Sequence, residues 1–282
     1  MRLVVTGGAG HLGSELVLRA LARDWEVVSL VHDRPPPGGE AVRVDVRDED
    51  AVAAVLADRR PDAVVHTAYR LDGPDMRSTN VDGAAAVAVA AARVGARLVH
   101  LSTDLVFDGS RAEPYREDDE ARPLLPYGDA KLEAERRVAA ADPGAVIVRT
   151  SLLYGGREPG PQELRALDAA DGRLDFAFFT DEIRCPAHVA DLAVAILELA
   201  ARRDVAGPLH LAGPDAVSRY EFACLLAAAH GRDADAIRGM PSPPGERPRY
   251  VALDSGRAGA LGLRIRGVRD ALAPGRSRSR SL

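Results

Sequence analysis

Lysine is almost missing from this sequence: of its 37 basic residues, 36 are arginine and the single lysine is Lys131. Cysteine is scarce too, with Cys185 and Cys224 far apart. That argues against a disulfide scaffold or a cysteine-based metal site and points to a reducing compartment. Aromatic side chains make up 4%, and the one tryptophan, Trp25, precedes a strand-like run and reads as a packing residue. No apolar stretch approaches the roughly 18 residues that a transmembrane helix needs. Strand-like sequence starts at Arg2, which leaves no room for a signal or transit peptide. Positive charge is not in excess: the formal net charge of −5 argues against bulk nucleic-acid binding through a global positive field. The histidines show no paired ligand spacing, so no metal is expected. What is present, 282 residues with 46% apolar and 28% charged side chains, is the composition of a globular chain of one or two domains. The expectation is a soluble, cytoplasmic protein that binds neither nucleic acid nor membrane.

Short β-branched runs at residues 3–5, 26–31, 41–44, 63–66, 97–101 and 145–148 alternate with Ala/Leu-rich stretches at 11–23, 49–57, 79–94 and 127–141. Continuous apolar strands, each followed by a helix, predict βαβ units and a parallel sheet covered on both faces. Right-handed crossovers make that an α/β fold with a Rossmann-type doubly wound sheet. After residue 155 the pattern changes. A helix at 162–170, a strand at 174–178, a helix at 219–229 and a Pro-rich run at 240–248 suggest a smaller C-terminal substrate-binding lobe. A helix at 187–202 and a strand at 209–211 suit the sheet layer. The expected division is a dinucleotide-binding domain over 1–154, rejoined by 181–212, a lobe over 155–180 and 213–274, and a disordered Arg/Ser tail over 275–282.

Thr6-Gly7-Gly8-Ala9-Gly10-His11-Leu12-Gly13 follows the first strand and opens a helix. A tight turn, a backbone that a diphosphate can approach and a helix seated close on its strand all call for glycine. The free N–H groups and dipole of the helix then hold phosphate. Gly7, Gly10, His11, Leu12 and Gly13 are therefore candidate cofactor contacts. The acid expected near the end of the second strand is Asp33, which would suit NAD. His32 and Arg34 flank it, and a cationic rim suits a 2′-phosphate, so NADPH is favoured over NADH. Asp45 and Val46, after the third strand, fall near the adenine end.

Tyr127-Gly-Asp-Ala-Lys131 places a phenol and an ammonium one helical turn apart on one face. Bringing a phenol from near pH 10 to neutrality takes roughly 4 kcal/mol, about what one cation at ~4 Å supplies at an effective dielectric near 20. With six tyrosines in the chain, a lone lysine falls four positions after one of them only about 2% of the time. Arginine would be bulkier there and would not titrate usefully. The pair reads as an acid–base device.

Ser102-Thr103-Asp104-Leu105-Val106-Phe107-Asp108-Gly109 ends a central strand, where ligands meet such sheets. With the glycine turn, the Tyr–Lys pair, Arg149-Thr-Ser-Leu-Leu-Tyr-Gly155 and Gly245-Glu-Arg-Pro248, it resembles the extended short-chain dehydrogenase/reductase family over nearly the whole chain. The matching branch is that of the dTDP-4-dehydrorhamnose reductases, sugar-nucleotide reductases. The resemblance implies reduction of a keto group on a nucleotide-activated deoxysugar. Thr103, Tyr127 and Lys131 would be catalytic, with Lys131 also holding the nicotinamide ribose. Thr67 and Ala68, after His66, would skirt the cofactor, and Asp104 and Arg247 would contact substrate. Two aromatic positions of the branch are Leu105 and Leu152 here, so the resemblance does not carry over the exact sugar. A nucleotide-sugar epimerase with bound NAD(P) is an alternative. A non-catalytic regulatory NADP-binding subunit, as in methionine adenosyltransferase, is another. By analogy, a homodimer would form through the helix at 80–94 and the helix after Tyr127.

Overall fold

Leu3 and Val5 of the first strand pack into one apolar cluster and Val4 into another, the alternation that a sheet buried on both faces imposes. The computed structural model describes residues 1–245 and 247–273. The chain runs β1 (Arg2–Thr6), α1 (His11–Leu21), β2 (Glu26–Val31), β3 (Glu40–Arg43), α2 (Glu49–Arg59), β4 (Ala63–His66), α3 (Gly83–Val94), β5 (Arg97–Thr103), α4 (Pro126–Ala141) and β6 (Val146–Thr150). A seventh strand, Gly207–His210, joins beyond β6. Spatial order is Gly207–His210, β6, β5, β4, β1, β2, β3, and every neighbouring pair is parallel. This is the expected doubly wound sheet. Chain direction across the sheet reverses between β1 and β4, where Thr6 pairs with His66, and a crevice opens there at the carboxyl ends.

One face is covered by Leu12, Leu16 and Val17 of α1, packed with Leu192 and Ile196 of a later helix. The other is covered by Val52 and Leu56 of α2, Val87 and Ala91 of α3, and Ala134 and Val138 of α4. Small residues on α3 thus serve the sheet. The helix expected from residue 79 begins as a π-helical turn, Ser78–Asp82, and turns α-helical at Gly83. There a Cβ would lie 2.8 Å from Val46 Cγ2.

Beyond β6 come α5 (Pro161–Ala170), α6 (Val189–Ala200) and α7 (Arg219–Ala229). The later helix on the α1 face is α6. Helices α5 and α7 enclose a separate cluster of Tyr154, Ala166, Phe178, Phe222 and Leu226. The strand expected at 174–178 is Ala177–Phe179 instead, paired with Arg238–Met240. Its start is delayed because the N–H groups of Arg173 and Leu174 donate to Asp168 O, closing the end of α5. Likewise Ala187–His188 pairs with Leu153–Tyr154 before α6 begins. The Arg/Ser tail lies outside the described residues. Among the described residues no helix is long and apolar enough to cross a membrane, and no group of His, Cys, Asp and Glu could hold a metal ion.

Candidate active site

The glycine turn takes the shape its sequence asks for. Gly7 has φ +69°, a conformation that a side chain would strain. Its N–H donates to Leu30 O at 3.0 Å, while Gly10 N–H donates to Gly7 O at 2.8 Å. A Cβ on Gly13 would collide with Gly7 O, and one on Gly8 with Ser29 Oγ, so α1 sits close on β1 and the turn close on β2. The N-terminus of α1 has no side-chain cap and no acid in its first turn. That is a fit for the diphosphate of a dinucleotide. Leu12 is buried beneath the turn. The His11 imidazole is pushed down by burial, against the pull of Glu163 and Glu15.

Thr67 and Ala68 wall the same turn: a Cβ on Gly7 would lie 3.0 Å from Thr67 Oγ1 and 3.1 Å from Ala68 Cα. Thr6 Oγ1 accepts both of their N–H groups at 3.1 Å. At the far end His32, Asp33 and Arg34 are exposed beyond β2, and Asp33 lies 3.8 Å from His32 Nε2 and 3.7 Å from Arg43 Nη2. Asp45 is held by Arg47, Nη2 to Oδ2 at 2.6 Å. That hydrogen bond brings its carboxyl down to about 2. Val46 is buried.

Lys131 is buried, and its Nζ donates to Leu101 O at 2.5 Å and lies 3.5 Å from His100 Nε2. Burial pushes the ammonium down to about 8, with Glu135 opposing. His100 stacks on His66 at 5.2 Å, and His66 Nδ1 meets Thr6 Oγ1 at 2.8 Å. Burial holds the His66 imidazole at about 3 and His100 well below its ordinary value, with Lys131 adding to both. His11, His188 and His210 are lowered by burial as well. A lowered imidazole means that the unfolded chain binds protons the folded one refuses, so stability is lost as pH falls below about 6.5. The melting temperature is expected to drop already between pH 6.5 and 5, above the usual carboxylate range. A flat profile across that interval would contradict the buried neutral pair.

Tyr127 stands in the first turn of α4, with Pro126 at the helix start. Gly128 makes this seat: a Cβ there would collide with Leu105 O and lie 3.0 Å from Pro123 Cβ. The start of α4 is thereby packed against the turn after β5, where Thr103 Oγ1 donates to Asp104 Oδ1 at 3.1 Å and accepts Leu105 N–H at 3.2 Å. The expected lowering of the phenol is corrected. Burial pushes Tyr127 up from its ordinary value, and Tyr69 and Asp104 push the same way. Lys131 directs its ammonium to the β5 backbone and His100, and burial penalises a phenolate.

Asp104 and Arg247 are placed differently from simple surface contacts. Asp104 is buried, its Oδ2 accepting Ser151 Oγ at 2.6 Å with Arg184 Nε at 3.8 Å. Burial raises its carboxyl despite these partners. Arg184, also buried, reaches Glu182 at 3.7 Å. Fully buried Glu182 further pairs with Arg247 and lies 3.9 Å from Arg219. Three guanidiniums thus face two carboxylates, and Arg247 is the more exposed end. Sequence reasoning missed Glu182, Arg184 and Arg219. The only signal was charge inside the short strand Ile183–Arg184. It also missed Tyr69, whose ring centroid lies 6.2 Å from that of Tyr127.

A model of the RmlD substrate binding domain matches residues 1–275. The chain belongs to this family. Among relatives, dTDP-4-dehydrorhamnose reductase of Mycolicibacterium smegmatis is 34% identical over 96% of this chain and 84% of its own length. Methionine adenosyltransferase 2 subunit beta of Bos taurus is 32% identical over 97% and 87%. The crystal structure of dTDP-4-dehydrorhamnose reductase from Bacillus anthracis in complex with NADP superposes with a TM-score of 0.83, at 26% identity and covering 96% of each chain. Within the family framework the leucines at 105 and 152 stand half-buried, Leu152 packed against the Tyr154–Phe222 cluster.

Proposed function

We propose that the protein is an NAD(P)-dependent oxidoreductase that uses NADPH to reduce the keto group of a nucleotide-activated, dTDP-type deoxysugar. The observation that carries this reading is the seat of Tyr127. Gly128 lodges the phenol's helix against the Thr103 turn, one helical turn from buried Lys131 and at the carboxyl end of the sheet.

When bound, the nicotinamide supplies hydride to the carbonyl carbon. Gly7, Gly10, His11, Leu12 and Gly13 would receive its diphosphate, Thr67 and Ala68 would flank it, and Lys131 would hold the ribose. Asp45 and Val46 would lie by the adenine, and His32 and Arg34 would favour a 2′-phosphate. The chain's own work is to bind, orient and deliver a proton. Thr103 turns its hydroxyl proton from Asp104 Oδ1 to the carbonyl oxygen. Tyr127 transfers its proton to that oxygen, and carbonyl plus hydride plus proton gives the alcohol. The raised phenol keeps Tyr127 fully protonated at neutral pH, the state that a reduction consumes and that oxidation through a phenolate does not use. Arg247, at the open end of the Glu182 cluster, meets the nucleotide diphosphate, where the surplus of guanidinium charge complements an anion.

The likeness to methionine adenosyltransferase 2 subunit beta favours a second reading, a subunit that binds NADP and serves a partner enzyme. One assay separates the two. Purified protein given NADPH and dTDP-4-dehydrorhamnose is expected to lose absorbance at the nicotinamide band in one-to-one proportion to sugar reduced. Bound NADPH that is never consumed would favour the subunit. Sugar conversion without coenzyme consumption would instead mark an epimerase.

A further inference from the structure

Of the twelve Phe, Tyr and Trp rings, Phe107, Tyr115, Tyr154, Phe178 and Phe222 are each at most 3% exposed, six are half-buried and one is exposed. Tyr69 is 58% exposed, yet the backbone on either side of it is pinned. It follows Thr67 and Ala68, which are stitched to the glycine turn. The next residue is pinned on both sides of its backbone, Arg70 N–H donating to Asn80 Oδ1 at 2.9 Å and Asn80 Nδ2 donating to Arg70 O at 2.7 Å. Its ring faces that of Tyr127 at 59°. An open aromatic face, carried on a pinned backbone beside the proton donor, is a site for a ligand that has an apolar side. A pyranose has one, formed by its axial C–H bonds.

Resting on the reductase reading above, the geometry points to Tyr69 as the stacking platform for the sugar ring of the nucleotide-sugar substrate, and hence as a specificity-determining residue. The leucines at 105 and 152 leave those positions without an aromatic face, and Tyr69 supplies one from the β4 side of the crevice. Tyr69 contributes to the sugar and not to the nucleotide, which lies toward Arg247, nor to the diphosphate of the coenzyme in the glycine turn.

Binding isotherms test this without turnover, using dTDP-glucose and dTDP as probes on the NADPH-loaded protein. Wild type is expected to bind dTDP-glucose more tightly than dTDP. Tyr69→Ala should weaken dTDP-glucose by about 3- to 10-fold, the size of one aromatic stacking contact, and leave dTDP and NADPH unchanged. Tyr69→Phe should retain most of the sugar's advantage. Equal weakening of dTDP and dTDP-glucose, or a sugar advantage that survives Tyr69→Ala, would overturn the platform. If the sugar advantage depends on Tyr69 but no keto-sugar is reduced, the platform stands and the reductase reading falls.

Discussion

Tyr127→Phe is expected to lower kcat by roughly two to four orders of magnitude, the usual worth of a positioned general acid, while NADPH affinity stays within about twofold of wild type. The ring survives, so packing against Tyr69 and the seat made by Gly128 survive with it. Only the transferable proton is lost. Steady-state NADPH oxidation gives kcat, and quenching of intrinsic or coenzyme fluorescence gives the affinity. The raised phenol adds a second expectation: on the acid–base limb that Tyr127 controls, wild-type reduction should not decline as pH rises from 7 toward 9, because the proton is still in place. A Tyr127→Phe enzyme with wild-type kcat would remove Tyr127 from the mechanism.

Glu135→Ala is expected to carry the largest stability loss, on the order of 3–5 kcal/mol, the typical result of leaving a buried charge without its partner. Glu135 and Arg149 are each 5% exposed in their side chains. Arg149 Nη2 donates to Glu135 Oε2 at 2.7 Å and its Nε to Oε1 at 3.1 Å. Ser102 Oγ donates to Oε1 at 2.5 Å. One carboxylate therefore fastens α4 to β5 and β6 at once, one turn beyond Lys131. Guanidinium unfolding should show the shift in midpoint. Replacing both partners, Glu135→Ala with Arg149→Met, should recover part of the loss, because no charge is then stranded. A Glu135→Ala protein as stable as wild type would show that solvent reaches Arg149 and that the pair holds little.

The sheet was legible because its signals are local. Apolar runs such as Val4–Val5 and Val64–Val65 need only their own burial, and the glycine spacing dictates its own turn. The glycine turn, Thr67, Ala68, Thr103, Tyr127 and Lys131 all emerge at the carboxyl side of that sheet. The sign of the phenol shift was not legible, since it is set first by how deeply the folded chain buries the phenol, with Tyr69 and Asp104, distant in sequence, adding to it. The same holds for Arg184, which meets Asp104 only through folding, and for Glu182, which reaches that cluster through Arg184. Element ends shifted where a neighbour intervened: Asp168 O captured Arg173 and Leu174, and crowding by Val46 accompanies the start of α3 at Gly83.

The return of the chain to its first layer has a consequence for dissection. Strand Gly207–His210 hydrogen-bonds to β6, and α6 shields the side of the sheet that bears Leu3, Val5, Val99 and Val148. A fragment ending near residue 154 would lose an outer strand and bare to water the part of one sheet face that α6 shields beside α1. The amino-terminal part is contiguous in sequence, but its sheet is completed by later residues, so such a fragment is expected to be less stable than the whole chain.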